Sequence, residues 1–210
     1  MPIALPDGSP AYFRCVLGIL NASIHYATPD SNGEIKLIEE ETGNNPNTLK
    51  SVFVTGLPAD TVALNADKMP YSVLESAKRD GRWPRIADYR HVSDYIILTK
   101  KDDVFYQVYI ELKTGYSPKK YIPQLRCARA QMEHLQYLIK NFDQPVFPDR
   151  IEHRFVKFSK LPVQKFTTTG EPTEQPPSGS RGLNDEPPRA YVCYVVEGEK
   201  VDFATLLGGR

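Results

Sequence analysis

Asp94, Glu111 and Lys113 stand at the ends of two β-forming runs, spaced as a hairpin would space them. The second run, VFYQVYIELKTG from Val104 to Gly115, is apolar or aromatic on both faces, yet it carries Gln107, Glu111 and Lys113 before closing on Thr-Gly. The runs His91 to Thr99 and Val104 to Lys113 flank a polar tip, Lys100-Lys101-Asp102-Asp103, which is the pattern of a hairpin. A hairpin symmetric about Asp102 and Asp103 pairs residues whose numbers sum to 205, so Asp94 falls opposite Glu111. Opposed side chains on one face have Cβ atoms roughly 4.5–5.5 Å apart, and two carboxylates that close repel each other unless a cation lies between them. Mg²⁺ takes hard oxygen ligands at about 2.1 Å and is commonly held by one or two carboxylates with phosphate and water, and Mn²⁺ accepts the same donors. Lys113 returns to the face of Glu111 by the two-residue period of a strand. Such a metal lowers the pKa of bound water and neutralises charge on a phosphodiester, while the ammonium orients the nucleophile or stabilises the pentavalent state. These are the parts that hydrolysis of a nucleic-acid backbone needs. An E-x-K triplet alone is no more than a solvated ion pair; the reading rests on its union with Asp94, the two-faced apolar strand and the helix that follows. A one-residue slip would turn Asp94 to the other face.

A strand apolar on both faces belongs in the middle of a covered sheet, so other elements must supply the cover. Pro70 opens a helical pattern through Val73, Leu74 and Ala77 that stops near Gly81, with proline and glycine where helix termini favour them. Pro123 begins a second helix reaching about Lys140, with Leu125, Ala128, Met132, Leu135 and Ile139 in one stripe beside Gln124 and Gln131. Residues 11–27 carry Phe13, Val16, Leu17, Leu20 and Ile24 at helical spacing, with a strand as the alternative. Glu34 to Glu40, Ser51 to Thr55, His153 to Phe158 and Ala190 to Val196 read as strands. Residues 167–189, rich in Pro, Gly, Ser and Thr without periodicity, read as a flexible connector or surface loop. The order predicts an α/β fold with a central mixed β-sheet flanked by helices, α+β being the other option. It divides the chain into an N-terminal extension 1–60, a core 61–166, the connector 167–189, and a C-terminal strand and tail 190–210.

The 210 residues are 40% hydrophobic and 25% charged, as in an ordinary globular protein. Net charge is zero, but residues 78–129 hold 12 Lys and Arg against 6 Asp and Glu, a surplus of 6, while residues 1–77 hold 4 against 9 and residues 130–210 hold 10 against 11. A basic segment around the hairpin suits an anionic ligand. Cys15, Cys127 and Cys193 lie far apart without a CxxC pair, which signals neither a disulfide framework nor a zinc or iron–sulfur site. Reduced thiols and the lack of an export signal or membrane span predict a cytoplasmic protein without membrane association. There is no P-loop, GxGxxG or GxSxG pattern.

Asp94 opening YIIL, then YIELKTG, then PQLRCA on the next helix resembles the D…ExK core of the PD-(D/E)xK nuclease superfamily, over roughly residues 70–160. The resemblance implies a restriction-endonuclease-like core with Asp94 and Glu111 as metal ligands, Lys113 as the catalytic lysine, and the Leu112 carbonyl as a further ligand. Gln124 is similar to the glutamine that RecB-type members carry on that helix, with Ala128 where their tyrosine falls; Ser93 stands in place of the proline of the superfamily's name. Glu75 would supply a third acid, as in some members, and Asp88 competes with Asp94. Arg90, Lys119, Lys120, Arg126 and Arg129 would meet phosphates. His91 is read as solvent-facing, and of the aromatics Tyr106, Tyr109, Tyr116 and Tyr121, which could stack on bases, the first two are read as core. The implied function is an Mg²⁺- or Mn²⁺-dependent nuclease acting on DNA in preference to RNA, as a homodimer or as the effector subunit of a defence or restriction system in which a protein partner supplies recognition. A nucleic-acid-binding or assembly module that keeps the fold without catalysis is the alternative.

Overall fold

A computed structural model of the chain describes residues 10–20, 26–39, 49–66, 92–112, 118–142, 147–160, 191–196 and 198–207. The expected helix from Pro70 and the connector 167–189 lie outside the described residues. The described elements are α1 (Ala11–Leu20), β1 (Tyr26–Ala27), β2 (Ile35–Ile38), β3 (Ser51–Thr55), β4 (Val62–Asn65), β5 (Tyr95–Lys101), β6 (Val104–Leu112), α2 (Pro118–Phe142), β7 (Ile151–Lys160), β8 (Tyr191–Val195), β9 (Lys200–Asp202) and α3 (Phe203–Leu206). The class is α/β, as the order of elements predicted.

A six-stranded mixed sheet runs in the order β1-β4-β5-β6-β7-β8. The pairs from β1 to β6 are antiparallel, and β6/β7 and β7/β8 are parallel. The unit β6-α2-β7 is therefore a β-α-β crossover, which puts α2 against the sheet. One face of the sheet is covered by α1 and α2: Tyr12, Phe13, Val16, Leu17 and Leu20 pack with Ile96, Leu98, Tyr109 and Phe155 and with Leu125, Met132 and Ile139 of α2. On the other face Ala63, Ile97, Val108, Ile110 and Phe158 pack against Ile35, Leu37, Val52 and Val54 of a second sheet, β2-β3-β9, and against Phe203 and Leu206 of α3. Strands buried on both faces need no alternation of polar residues, which explains the continuous apolar runs of β5 and β6. The Tyr95 hydroxyl donates to the Ile38 carbonyl at 2.8 Å and accepts from the Ile38 N–H at 3.0 Å, tying the small sheet to the large one.

Several elements differ from the sequence pattern for identifiable reasons. The segment 11–27 divides, its helix ending at Leu20 and its last described residues pairing with β4. Helix α2 starts at Pro118 rather than Pro123; Pro118 takes the first-turn position where proline is tolerated, and Pro123 lies inside, leaving one intrahelical bond unmade. Strand β4 is a four-residue run without alternation, too short for a periodic signal. The strand at Tyr191–Val195 is not the last, because Lys200–Asp202 pairs in parallel with β3. Cys15, Cys127 and Cys193 form no disulfide, and among the described residues no helix is long and apolar enough to cross a membrane.

The β5–β6 hairpin has the register that the symmetric tip predicts: Tyr95 pairs with Ile110, Ile97 with Val108 and Lys101 with Val104. Its turn is two residues, Asp102 and Asp103, both in the left-handed region with φ of 49° and 61°, the geometry in which Asn-Gly is favoured. Replacing Asp102-Asp103 by Asn-Gly is expected to raise the thermal midpoint by roughly 2–4 °C; an unchanged or lower midpoint in a thermal melt would show that the turn does not hold the register.

Candidate functional site

Asp94 immediately precedes β5. Its carbonyl accepts from the Ala66 N–H at 2.9 Å, extending the β4–β5 ladder, and its carboxylate Oδ2 accepts from the Leu112 N–H at 2.5 Å. The side chain thus takes over the partner role where β5 ends and β6 continues. One step beyond the Tyr95–Ile110 pair, the register sets Asp94 opposite Glu111. Alternation puts both on the face of Ile96, Leu98 and Tyr109, under the helices. Asp94 is 7% exposed and Glu111 fully buried.

A third charge lies beside them. Lys157 of β7 is the register partner of Glu111 and is fully buried. Strand neighbours are about 4.8 Å apart, so the two side chains leave the backbone side by side. Above Lys157 is α2: its Nζ lies 5.0 Å from the centre of the Tyr121 ring, a cation–π arrangement. Burial pulls the Lys157 ammonium below its ordinary range, and the Glu111 charge partly offsets that. Glu111 and Lys157 both lie near the carboxyl ends of parallel strands, where open α/β sheets place their sites.

Sequence reasoning missed Lys157, although the signal was the one that singled out Glu111: a charge inside an apolar run, here between Val156 and Phe158. Missing was the parallel register, which depends on a crossover of nearly forty residues and is not written in either strand.

The remaining expected residues divide into three groups. Gln124 comes to the site's border, its Nε2 3.4 Å from the Val92 carbonyl, tying α2 to the residues that lead into Asp94. Leu112 ends β6 and gives its N–H to Asp94. Arg126 is exposed, whereas Arg129 bonds Glu133 one turn on, at 2.6 Å. Ala128, at the position of the RecB-type tyrosine, is buried in the core. Tyr109 is core, Tyr106 is half-buried against the second cluster with the Arg154 guanidinium over its ring, and Tyr121 is buried against the Lys157 ammonium. Lys119 and Lys120 belong to the first turn of α2, with side chains outside the described residues. Glu75, Asp88, Arg90, His91, Lys113 and Tyr116 also lie outside them. Among the described residues no three or more His, Cys, Asp or Glu side chains gather as a metal cluster. The Asp94 and Glu111 carboxylates are oxygen donors of the hard type that Mg²⁺ or Mn²⁺ accepts with water completing the shell.

A second polar assembly lies farther along the same face. Gln107 Nε2 donates to the Tyr12 hydroxyl at 2.8 Å, and Gln107 Oε1 accepts from the Tyr109 hydroxyl at 2.8 Å and from Gln136 Nε2 at 2.9 Å. Since the Tyr109 proton is used on Gln107, the 3.1 Å contact with His153 Nδ1 is satisfied by a proton on Nδ1, leaving Nε2 as the unprotonated nitrogen. The two rings stack at 5.9 Å. Burial pushes the Tyr12 and Tyr109 hydroxyls up. It also lowers the His153 imidazole to about 4, with Arg129 reinforcing the shift. This assembly joins α1, α2, β6 and β7, and it answers why Gln107 sits in a core strand.

Comparison with protein-family models, curated proteins and solved structures finds no match to this chain.

Because the folded His153 resists protonation, the unfolded chain binds more protons between pH 6.5 and about 4. The stability it contributes is complete above pH 6.5 and lost as pH falls to about 4. Urea denaturation across that window should show a dependence that His153→Phe reduces by up to one proton, ~1.4 kcal/mol per pH unit; an identical slope in the variant would refute the assignment.

Proposed function

We propose that the chain is a metal-dependent nuclease with a restriction-endonuclease-like core, hydrolysing phosphodiester bonds of nucleic acid, DNA in preference to RNA. The observation that carries this reading is the hairpin register, which ends at Tyr95–Ile110 and, continued by one step, sets Asp94 opposite Glu111, both of them buried. A carboxyl group at Glu111 serves no packing purpose that valine would not serve better, since burying a polar group is costly unless it is compensated. The hairpin and the following helix with Gln124 occur in the order that the PD-(D/E)xK pattern implies. The basic surplus of residues 78–129 supplies the field an anionic polymer needs.

In this reading Asp94 and Glu111 hold an Mg²⁺ or Mn²⁺ ion, with the Leu112 carbonyl as a further oxygen. When bound, the ion supplies a water of lowered pKa and a counter-charge for the phosphate. Lys113 orients the attacking water, and Gln124 fixes the approach of the chain to Asp94. Arg90, Lys119, Lys120 and Arg126 add contacts to the backbone that are independent of sequence and weaken with salt. Specificity and double-strand cutting are then matters for a partner or for a second copy, as in a defence or restriction system.

The Leu112–Asp94 bond favours a second reading, in which Asp94 is a structural cap and the fold is a nucleic-acid-binding module without catalysis. The two are separated by incubating plasmid, single-stranded DNA and RNA with Mg²⁺ or Mn²⁺. Cleavage is expected, and Asp94→Ala and Lys113→Ala should each lower it by about 10²–10³-fold, the range for loss of one charge-stabilising group. Cleavage that survives both substitutions, or salt-sensitive binding with no cleavage in either metal, would overturn the nuclease reading.

A further inference from the structure

Lys157 has no counterpart in the pattern that singled out the site, yet it is its most buried cation among the described residues. It is the register partner of Glu111, shares the helix-covered face with Phe155, and has the Tyr121 ring over its Nζ at 5.0 Å. Tyr121 belongs to the second turn of α2, three residues before Gln124. The ammonium is therefore bounded by an anion on one side and an aromatic face on another, both supplied by the elements that build the site. A lysine held this way is a fixed positive charge and not a solvent-seeking tail, since long cations normally extend to water.

We propose that Lys157 is the resident second cation of the site, standing where a second metal ion would otherwise be needed. The inference rests on the nuclease reading and fixes its metal requirement at one ion. Asp94 and Glu111 against Lys157 and Lys113, the catalytic lysine of this reading, sum to zero; one divalent cation brings the set to two positive charges, of which a single phosphodiester anion balances one. Without Lys157, one divalent cation and the phosphate bring the same set to zero, so a second ion would meet no residual positive charge to repel it. Charges confined in a dry site are poorly screened, so that difference is a strong selector of cation number. Lys157 neutralises Glu111 when the site holds no ion.

The test is a Mn²⁺ titration of the full chain, read from the free-Mn²⁺ electron-paramagnetic-resonance signal, with a thermal melt of each variant. Wild type should bind one Mn²⁺ per chain, and Glu111→Gln should abolish that binding. Lys157→Gln, which removes the repelling charge, should bind Mn²⁺ at least about tenfold more tightly, or take up a second ion, while losing cleavage. Lys157→Arg should stay near wild type in stoichiometry. A lysine that merely filled space would not raise metal affinity on removal. Two Mn²⁺ ions per wild-type chain would overturn the proposal without any variant, as would unchanged affinity in a folded Lys157→Gln protein. In either case, Glu111-dependent binding would leave the nuclease reading standing. Wild type that binds no Mn²⁺ at Glu111 would remove both.

Discussion

Asp102 and Asp103, both at positive φ, fix where β5 stops and β6 begins, and the position of every side chain along the nine residues of β6 follows from that turn. Because the side-chain period of a strand is two, a slip of one residue would send Gln107, Tyr109 and Glu111 to the opposite face. There they would meet the apolar side chains of the second sheet, Ile35, Leu37 and Val54, with no polar partner among them. The register is thus enforced twice, locally by the turn and globally by the cost of burying those groups in the wrong layer. Which residue of β7 stands next to Glu111 is set separately, by the parallel pairing of β7 along the other edge of β6.

Given that register, the helix-covered face carries two polar centres of different kind. At the carboxyl end of β6 the groups are charged: Asp94, Glu111 and Lys157. Toward its middle they are neutral, with Tyr12, Gln107, Tyr109, Gln136 and His153 joined by hydrogen bonds. The neutral network is directional, since each amide end has a defined partner, and satisfied networks of this kind specify one packing. The charged centre is not of that type. Replacing a buried charged set with apolar residues of similar volume is often neutral or stabilising, so its retention in the middle of a sheet asks for a reason outside folding. That contrast is why the function is sought at Glu111 and not at Gln107, although both interrupt the same apolar strand.

The hairpin and its register were legible in the sequence because their determinants are local: two β-runs, a polar tip and a symmetric count from Asp94 to Glu111. The α/β class was legible for a similar reason, the long stripe of α2 and the order of elements. What escaped lies in long-range pairing. Lys157 is about 46 residues from Glu111 in sequence, and only the parallel β6–β7 register makes them neighbours. Strand β9 joins β3 across nearly 150 residues, and α2 begins five residues before the proline that seemed to mark its start. His153 read as an ordinary strand residue, because nothing in HRFVKF reveals that Tyr109 stacks upon it.

Helix α2 ties the two centres together. It runs back over the sheet between two parallel strands, so Tyr121 at its beginning covers Lys157 near the end of β7, and Gln136, fifteen residues later, bonds Gln107 toward the middle of β6. At 1.5 Å per residue those two contacts are roughly 22 Å apart along the helix, so they act as separate anchors that fix its tilt and its rotation about its own axis. Leu125, Ala128, Met132, Leu135 and Ile139 fill the distance between them with apolar contact along one stripe, which turns that side of the helix to the sheet. The polar anchors sharpen that setting: turning α2 by one residue would break the Gln136–Gln107 bond and move Tyr121 off the ammonium together. The geometry around Glu111 is therefore held from a distance by a network that contains no charged ligand, and the neutral centre is best understood as the support of the charged one.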